Sequence, residues 1–285
     1  MIPASGGTVL LASGRRLSFD DAGDPSGRPV FFLHGCPGSR LSRHPDDAIA
    51  GRAGVRLISV DRPGYGNSDA DPASDEVTQA DDVVALADHL GVDRFAMIAW
   101  SSGGPTALAL AAEHPNRIGA VAIAAGQPEL LADPGAQSPA AFARMSAEFV
   151  AVPGISYELA MEAAVEGWDD ASLAELASVD GAHERLALSL AAAVEHGLSG
   201  VEGDLRAMAT PWRFDLASIS VPVVLWYGTK DPIYPPDVGR ALAARIPSAR
   251  LEIVDGATHL VVYTHWMKLL DCVAQQLDLE EPSCP

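Results

Sequence analysis

The chain has 285 residues, 48% of them hydrophobic, enough for one large α/β domain or for a core domain carrying a sizeable insertion. A net charge of −19 sets it against nucleic acid or an anionic membrane surface as partner, and no apolar run approaches the ~20 residues that span a bilayer. The N-terminal MIPASGGTVL lacks a basic region followed by an apolar one, and Cys36, Cys272 and Cys284 fall in no metal-ligand spacing, so the expectation is a cytoplasmic protein without bound metal.

Short β-type runs alternate with helical patterns along the chain. Strands are expected at Val9–Leu11, Leu17–Asp20, Val30–Leu33, Arg56–Val60, Phe95–Ala99, Ala120–Ala124, Val223–Tyr227 and Leu251–Val254. Several are continuous apolar runs, as parallel strands buried on both faces require. In VTQADDVVALADHLG, Thr78 is placed to cap the first turn, acids crowd the positive end of the helix dipole, and Gly91 closes the helix. From about Pro128 to Trp212 the alternation stops. That stretch reads as helices at Phe142–Val150, Tyr157–Glu166, Leu173–Ala177 and His183–His196, with no strand. A helical insertion in an α/β chain predicts a cap over the C-terminal edge of the sheet, where open α/β sheets hold ligands; the alternative is a second helical layer unrelated to any site. The last helix sets Trp266, Leu269, Leu270, Val273 and Leu277 on one face. The expected organisation is an α/β core at 1–127 and 213–285, its mostly parallel central sheet flanked by helices, with a helical cap at 128–212 after the sixth strand.

The segment FAMIAWSSGGPTALAL, residues 95–110, places two serines side by side between a strand and a helix. A hydroxyl becomes a nucleophile when a base takes its proton and donors stabilise the resulting oxyanion. A strained strand-to-helix turn presents such a hydroxyl if the residues two before and two after it are small. Ser101 has Ala99 and Gly103 at those positions, whereas Ser102 has Trp100 two before it. Ser101 therefore fits the turn, and the amide of Ser102 follows it as a candidate oxyanion donor.

Further motifs supply partners. FFLHGCPGS (31–39) follows a strand with a Gly- and Pro-rich turn that can leave the Cys36 amide free as a second oxyanion donor, the thiol being incidental and His34 supporting the turn. VVLWYGTKDPIYPP places Asp231 just after an apolar strand, and LEIVDGATHL places His259 in the loop after the next one. An imidazole base needs a third group to fix its tautomer and stabilise its charged form, and these two loops can meet over Ser101. The order Ser101, Asp231, His259 is the one this architecture predicts. Glu129 is a competing acid, Asp255 shapes its loop, and Asp61 and Arg62 in VDRPGYGNSD read as structural.

The segments HGCPGS, DRPGYGNSD, AWSSGGPTALALAAEHP, GTKDPIYPP and DGATHL together resemble the α/β-hydrolase superfamily over essentially the whole chain, most closely its capped, esterase-like members. The resemblance implies an α/β-hydrolase fold with a lid at 128–212, Ser101 as nucleophile, Asp231 as acid, His259 as base, the Cys36 and Ser102 amides as oxyanion hole, and no cofactor. A serine at position 101 disfavours the epoxide-opening and halide-displacing relatives, which use a carboxylate there. The expected activity is hydrolysis of small or medium carboxylic esters, lactones or thioesters through an acyl-serine, with a small acyl compound as partner. Two alternatives stand beside it: a proline iminopeptidase-type aminopeptidase or amidase, and a non-catalytic small-molecule receptor on the same fold. Trp100, Phe142, Met145, Trp168 and Trp212 are candidate pocket walls, although aromatic and Met residues at helical spacing also serve as core.

Overall fold

The computed structural model describes residues 5–129, 159, 161, 162, 165 and 167–278. Eight strands form one sheet: β1 (Ser5–Leu10), β2 (Arg16–Gly23), β3 (Arg28–Leu33), β4 (Val55–Val60), β5 (Phe95–Trp100), β6 (Ile118–Ala124), β7 (Val223–Gly228) and β8 (Ala249–Val254). They run in the order β1-β2-β4-β3-β5-β6-β7-β8. β1 and β2 pair antiparallel, and β3 to β8 are parallel. The continuous apolar runs FAMIAW and IGAVAIA are the fully buried β5 and β6, as strands covered on both faces should be.

Alternation along each strand divides the core into two layers. After the short α1 (Ala48–Arg52) come α2 (Glu76–His89) and α3 (Gly104–Glu113); against these two pack Phe31 and Leu33 of β3, with Phe95, Met97 and Ala99 of β5. Val30 and Phe32, with Ala96, Ile98 and Trp100, face the C-terminal helix Trp266–Asp278. There Trp266 meets Phe32 edge-on at 5.3 Å, and Leu269, Leu270 and Val273 are fully buried on the predicted face. Each such aliphatic side chain withdrawn from water stabilises the packing by roughly 1.5–3 kcal/mol.

Helix α2 begins three residues earlier than its sequence suggests. Asp75 is its N-cap and accepts the Thr78 amide at 2.9 Å, while the Thr78 hydroxyl accepts the Asp75 amide at 2.8 Å. Thr78 thus serves at the third helical position of a reciprocal cap, and Gly91, at φ +67°, closes the helix as expected. Between β6 and β7 the described elements are all helical: α4 (Asp170–Ala177), α5 (Ala182–Ala193), α6 (Ser199–Met208) and a short 3₁₀ turn at Leu216–Ser218. Helix α6 was not among the predicted segments, because Gly200 and Gly203 weaken its helical pattern. The predicted helix Phe142–Val150 lies outside the described residues, as does most of Tyr157–Glu166. Among the described residues no helix is long and apolar enough to cross a membrane.

Register brings the functional segments to one edge. Leu33 pairs with both Val60 and Ala99, Trp100 with Ala124, Ala124 with Trp226, and Gly228 with Val254. The segments that follow these ends, beginning at His34, Asp61, Ser101, Ala125, Thr229 and Asp255, therefore all leave the sheet along the same line.

Candidate active site

At the end of the central strand β5 the chain turns sharply. Ser101 has φ +53°, a conformation a residue with a Cβ adopts only when its surroundings enforce it. A single 3₁₀ turn, Ser101–Gly103, then feeds α3. Gly103 lets the turn close against the end of β3, since a Cβ there would lie 2.7 Å from the Leu33 carbonyl oxygen and 2.8 Å from that of His34. The turn therefore needs a glycine at this position. Pro105 sits in the first turn of α3, where a missing N–H costs nothing.

The two serines part company here. Ser101 Oγ lies 3.0 Å from His259 Nε2, and His259 Nδ1 lies 2.9 Å from Asp231 Oδ2. Ser102 Oγ instead accepts from Arg62 Nη2 at 3.0 Å, within a buried polar network. Asp231 is held firmly, since its other oxygen accepts the amides of Ile233 and Tyr234 at 2.8 and 2.9 Å. A carboxylate at Nδ1 fixes the ring so that Nδ1 carries the proton and Nε2 accepts from the serine. Among the described residues three rings surround His259: Trp100 at 5.8 Å, Tyr234 at 5.6 Å and Trp168 stacked at 6.1 Å. Trp100 Nε1 also donates to the His259 carbonyl at 2.9 Å.

The loop after β3 lies against Ser101. A Cβ at Gly35 would stand 3.0 Å from Ser101 Cβ, which brings the Gly35–Cys36 peptide beside the hydroxyl. Among the described residues neither the Cys36 amide nor the Ser102 amide donates to a protein acceptor; an amide at the start of a helical turn has no carbonyl partner within the turn. The Cys36 thiol is pushed well above its ordinary range by burial and then by the Asp204 carboxylate, so it stays a thiol. His34 is a fully buried brace: Nδ1 donates to Gly35 O at 2.7 Å and Nε2 accepts the Arg62 amide at 3.1 Å. Burial, with the Arg62 charge, holds its ring well below the usual histidine range and therefore neutral.

The remaining predicted residues divide. Trp168 reaches the His259 ring, whereas Trp212 is buried against Phe214 at 5.2 Å in the core layer of α2 and α3. Its stacking partner lies two residues on, and this aromatic pair joins that layer rather than a wall beside His259. Phe142 and Met145 lie outside the described residues. Glu129 commits its carboxylate to the Trp212 amide and to Arg245, at 3.1 and 2.9 Å, and not to the histidine. Asp255 accepts from Thr229 Oγ1 at 3.2 Å, tying the loop after β8 to the end of β7 rather than facing the histidine. Asp61 braces the turn after β4, accepting from the Arg40 and Asn67 amides and from the Arg40 guanidinium.

Two carboxylates that the sequence reading did not single out come from the helices between β6 and β7. Asp204 of α6 forms a bidentate pair with Arg62, both contacts at 2.6 Å, and accepts Tyr65 OH at 2.6 Å. Burial works against the Arg62 charge, but Asp204 outweighs it and holds the guanidinium above its ordinary value. Glu175 of α4 accepts the amide and hydroxyl of Thr258, both at 2.6 Å, and the Thr264 hydroxyl at 2.7 Å, bracing the loop that carries His259. No local motif marks either residue; a lone acid on a helix reads as solvated.

Known proteins resemble this chain over most of its length. Residues 28–265 match the family model described as alpha/beta hydrolase fold. The chain is 30% identical to a pimeloyl-[acyl-carrier protein] methyl ester esterase of Chromobacterium violaceum over 265 residues, covering 89% of this chain and 96% of that one. It is 27% identical to a 2-hydroxy-6-oxononadienedioate/2-hydroxy-6-oxononatrienedioate hydrolase of Cupriavidus pinatubonensis, covering 88% and 86%. The solved structure of an alpha/beta hydrolase fold protein from Nakamurella multipartita superposes with a TM-score of 0.72 at 26% identity, covering 96% and 99%. The eight-stranded sheet, the strained serine at the end of β5 and these matches lead to one assignment: the chain belongs to the α/β-hydrolase family.

Proposed function

We propose that this chain is a serine hydrolase that cleaves small or medium carboxylic esters, lactones or thioesters through an acyl-Ser101 intermediate. The observation that carries the reading is the continuous relay from Ser101 Oγ to His259 at 3.0 Å and from His259 to Asp231 at 2.9 Å, built on a serine held at positive φ. His259 Nε2 takes the Ser101 proton as Oγ attacks the acyl carbon. Asp231 stabilises the imidazolium that forms. The developing oxyanion accepts from the Cys36 and Ser102 amides, each donor of this kind being worth about 3–4 kcal/mol to the transition state. The imidazolium then protonates the leaving alkoxide, and the neutral ring activates water to release the acid. Trp100, Tyr234 and Trp168 around the base favour an apolar acyl group.

The stretch 128–212, whose described helices are α4, α5 and α6, acts as the cap of this site; Trp168 and Glu175, which reach the base and its loop, support that role. The ester-cleaving name of the Chromobacterium violaceum relative supports the reaction class. A fluorophosphonate probe with mass-spectrometric mapping, paired with an aryl-ester assay, tests the reading. Ser101→Ala should lose both labelling and turnover, whereas Ser102→Ala should keep part of each. Label recovered on Ser102 overturns the assignment.

A further inference from the structure

Arg62 opens the turn after β4 and touches both segments that carry the proposed oxyanion amides. Its Nε donates to His34 O at 3.1 Å, and its Nη2 donates to Gly35 O at 3.2 Å and to Ser102 Oγ at 3.0 Å. The Gly35 carbonyl and the Cys36 N–H belong to one planar peptide, and this peptide is trans. Its two polar ends therefore point in opposite directions. With the carbonyl pinned by Arg62 and by His34 Nδ1, the N–H is aimed away from them, on the side where nothing in the described protein accepts it.

A guanidinium only 2% exposed holds such a post only if its charge is matched, because a buried cation without a counter-ion is strongly destabilising. Asp204 supplies the match with two 2.6 Å bonds. It arrives there because α6 lies directly on the Tyr65 ring. A Cβ at Gly200 would stand 2.6 Å from Tyr65 Cδ2, and the Gly200 amide donates to Gly64 O at 3.1 Å. Gly200 and Asp204 are four apart, hence on one helix face. The missing side chain at 200 lets the carboxylate at 204 reach the core, where Tyr65 OH adds a third bond.

We infer that Asp204 is a positioning residue of the acyl-transfer site: by fixing Arg62 it orients the Cys36 and Ser102 amides toward the oxyanion. The role rests on the serine-hydrolase reading. Its test compares Asp204→Asn and Arg62→Lys with the wild-type full chain in two measurements. One is steady-state hydrolysis of an aryl ester; the other is inhibition by an aryl trifluoromethyl ketone, whose serine adduct carries an oxyanion. Both variants should lose about 100-fold in kcat with KM changed by less than about threefold. Ketone affinity should fall in parallel with kcat/KM, since both report transition-state binding. If Asp204→Asn does not accumulate as folded protein, the charge-neutral Arg62→Gln/Asp204→Asn pair is measured instead, with the same loss expected. Variants that melt earlier yet retain kcat and ketone affinity refute the positioning role. The fluorophosphonate separates the two levels of failure: a labelled wild type with unaffected variants sinks this inference alone, and an unlabelled wild type sinks the hydrolase reading beneath it.

Discussion

Replacing Asp231 by asparagine removes one charge and no volume, and the surroundings decide how the amide sits. Oδ1 accepts two backbone amides, from Ile233 and Tyr234, so the asparagine oxygen must take that place and its NH₂ must face His259 Nδ1. The imidazole then accepts at Nδ1 and carries its proton on Nε2, where it donates to Ser101 instead of accepting from it. The flipped amide would restore the base but would set NH₂ against two N–H donors. Leaving both donors unsatisfied costs about 2–6 kcal/mol, so the productive tautomer is suppressed by roughly 30- to 10⁴-fold. Loss of the charge that stabilises the imidazolium adds to this, and kcat for an aryl ester should drop by about 10⁴-fold. KM and the melting temperature should stay close to wild type, because the shape and the two amide bonds survive. A purified Asp231→Asn enzyme within about tenfold of wild-type kcat would refute the assigned geometry of base and acid.

Gly103→Ala should prevent the turn from closing, since its Cβ would press on two backbone carbonyls at 2.7 and 2.8 Å that no side-chain rotation relieves. Fluorophosphonate labelling of Ser101 should slow by about 100-fold or more, and labelling at the wild-type rate would contradict the steric account. Glu76 tests the electrostatics at the first turn of α2. Burial, with Asp75 and Asp204 adding to it, pushes its carboxyl from an ordinary 4.5 up to about 7. The folded state therefore keeps this proton where the unfolded chain gives it up, and Glu76 costs nothing below pH 4.5, costs more as the pH rises to 7, and costs its full amount above that. Glu76→Gln should be more stable than wild type at pH 8, by on the order of 3 kcal/mol, with the difference vanishing near pH 4. Urea unfolding at several pH values measures this, and a difference independent of pH would refute it.

What can be read from sequence depends on how far the determining contact lies along the chain. The strands of the sheet announce themselves locally, because a parallel strand buried on both faces is apolar throughout, as FAMIAW is. Ser101 is legible for the same reason: its fit depends on Ala99 and Gly103, within two residues on either side. Asp231 and His259 lie 28 residues apart, yet each follows a strand whose end the sheet aligns with its neighbour, so topology does the joining. The start of α2 was misplaced because Asp75 and Thr78 both make good caps, and only the three-dimensional turn shows that the two share the task. Asp204 was invisible for a different reason. Its partner Arg62 lies 142 positions away, on a segment whose approach is set by Gly200 against an aromatic ring. Trp212 likewise owes its place to Phe214 and the packing layer rather than to any local pattern.

Glu175 and Asp204 have a joint consequence. Both are supplied by the stretch between β6 and β7, yet Glu175 ends on Thr258 beside the imidazole and Asp204 ends on the guanidinium behind the serine turn. That stretch is consequently no interchangeable hood. A chimera that grafts in a foreign insertion without acids at the equivalent places would strip one brace from each flank of the proposed reaction centre. The hybrid would then be catalytically poor whatever its new cavity admitted.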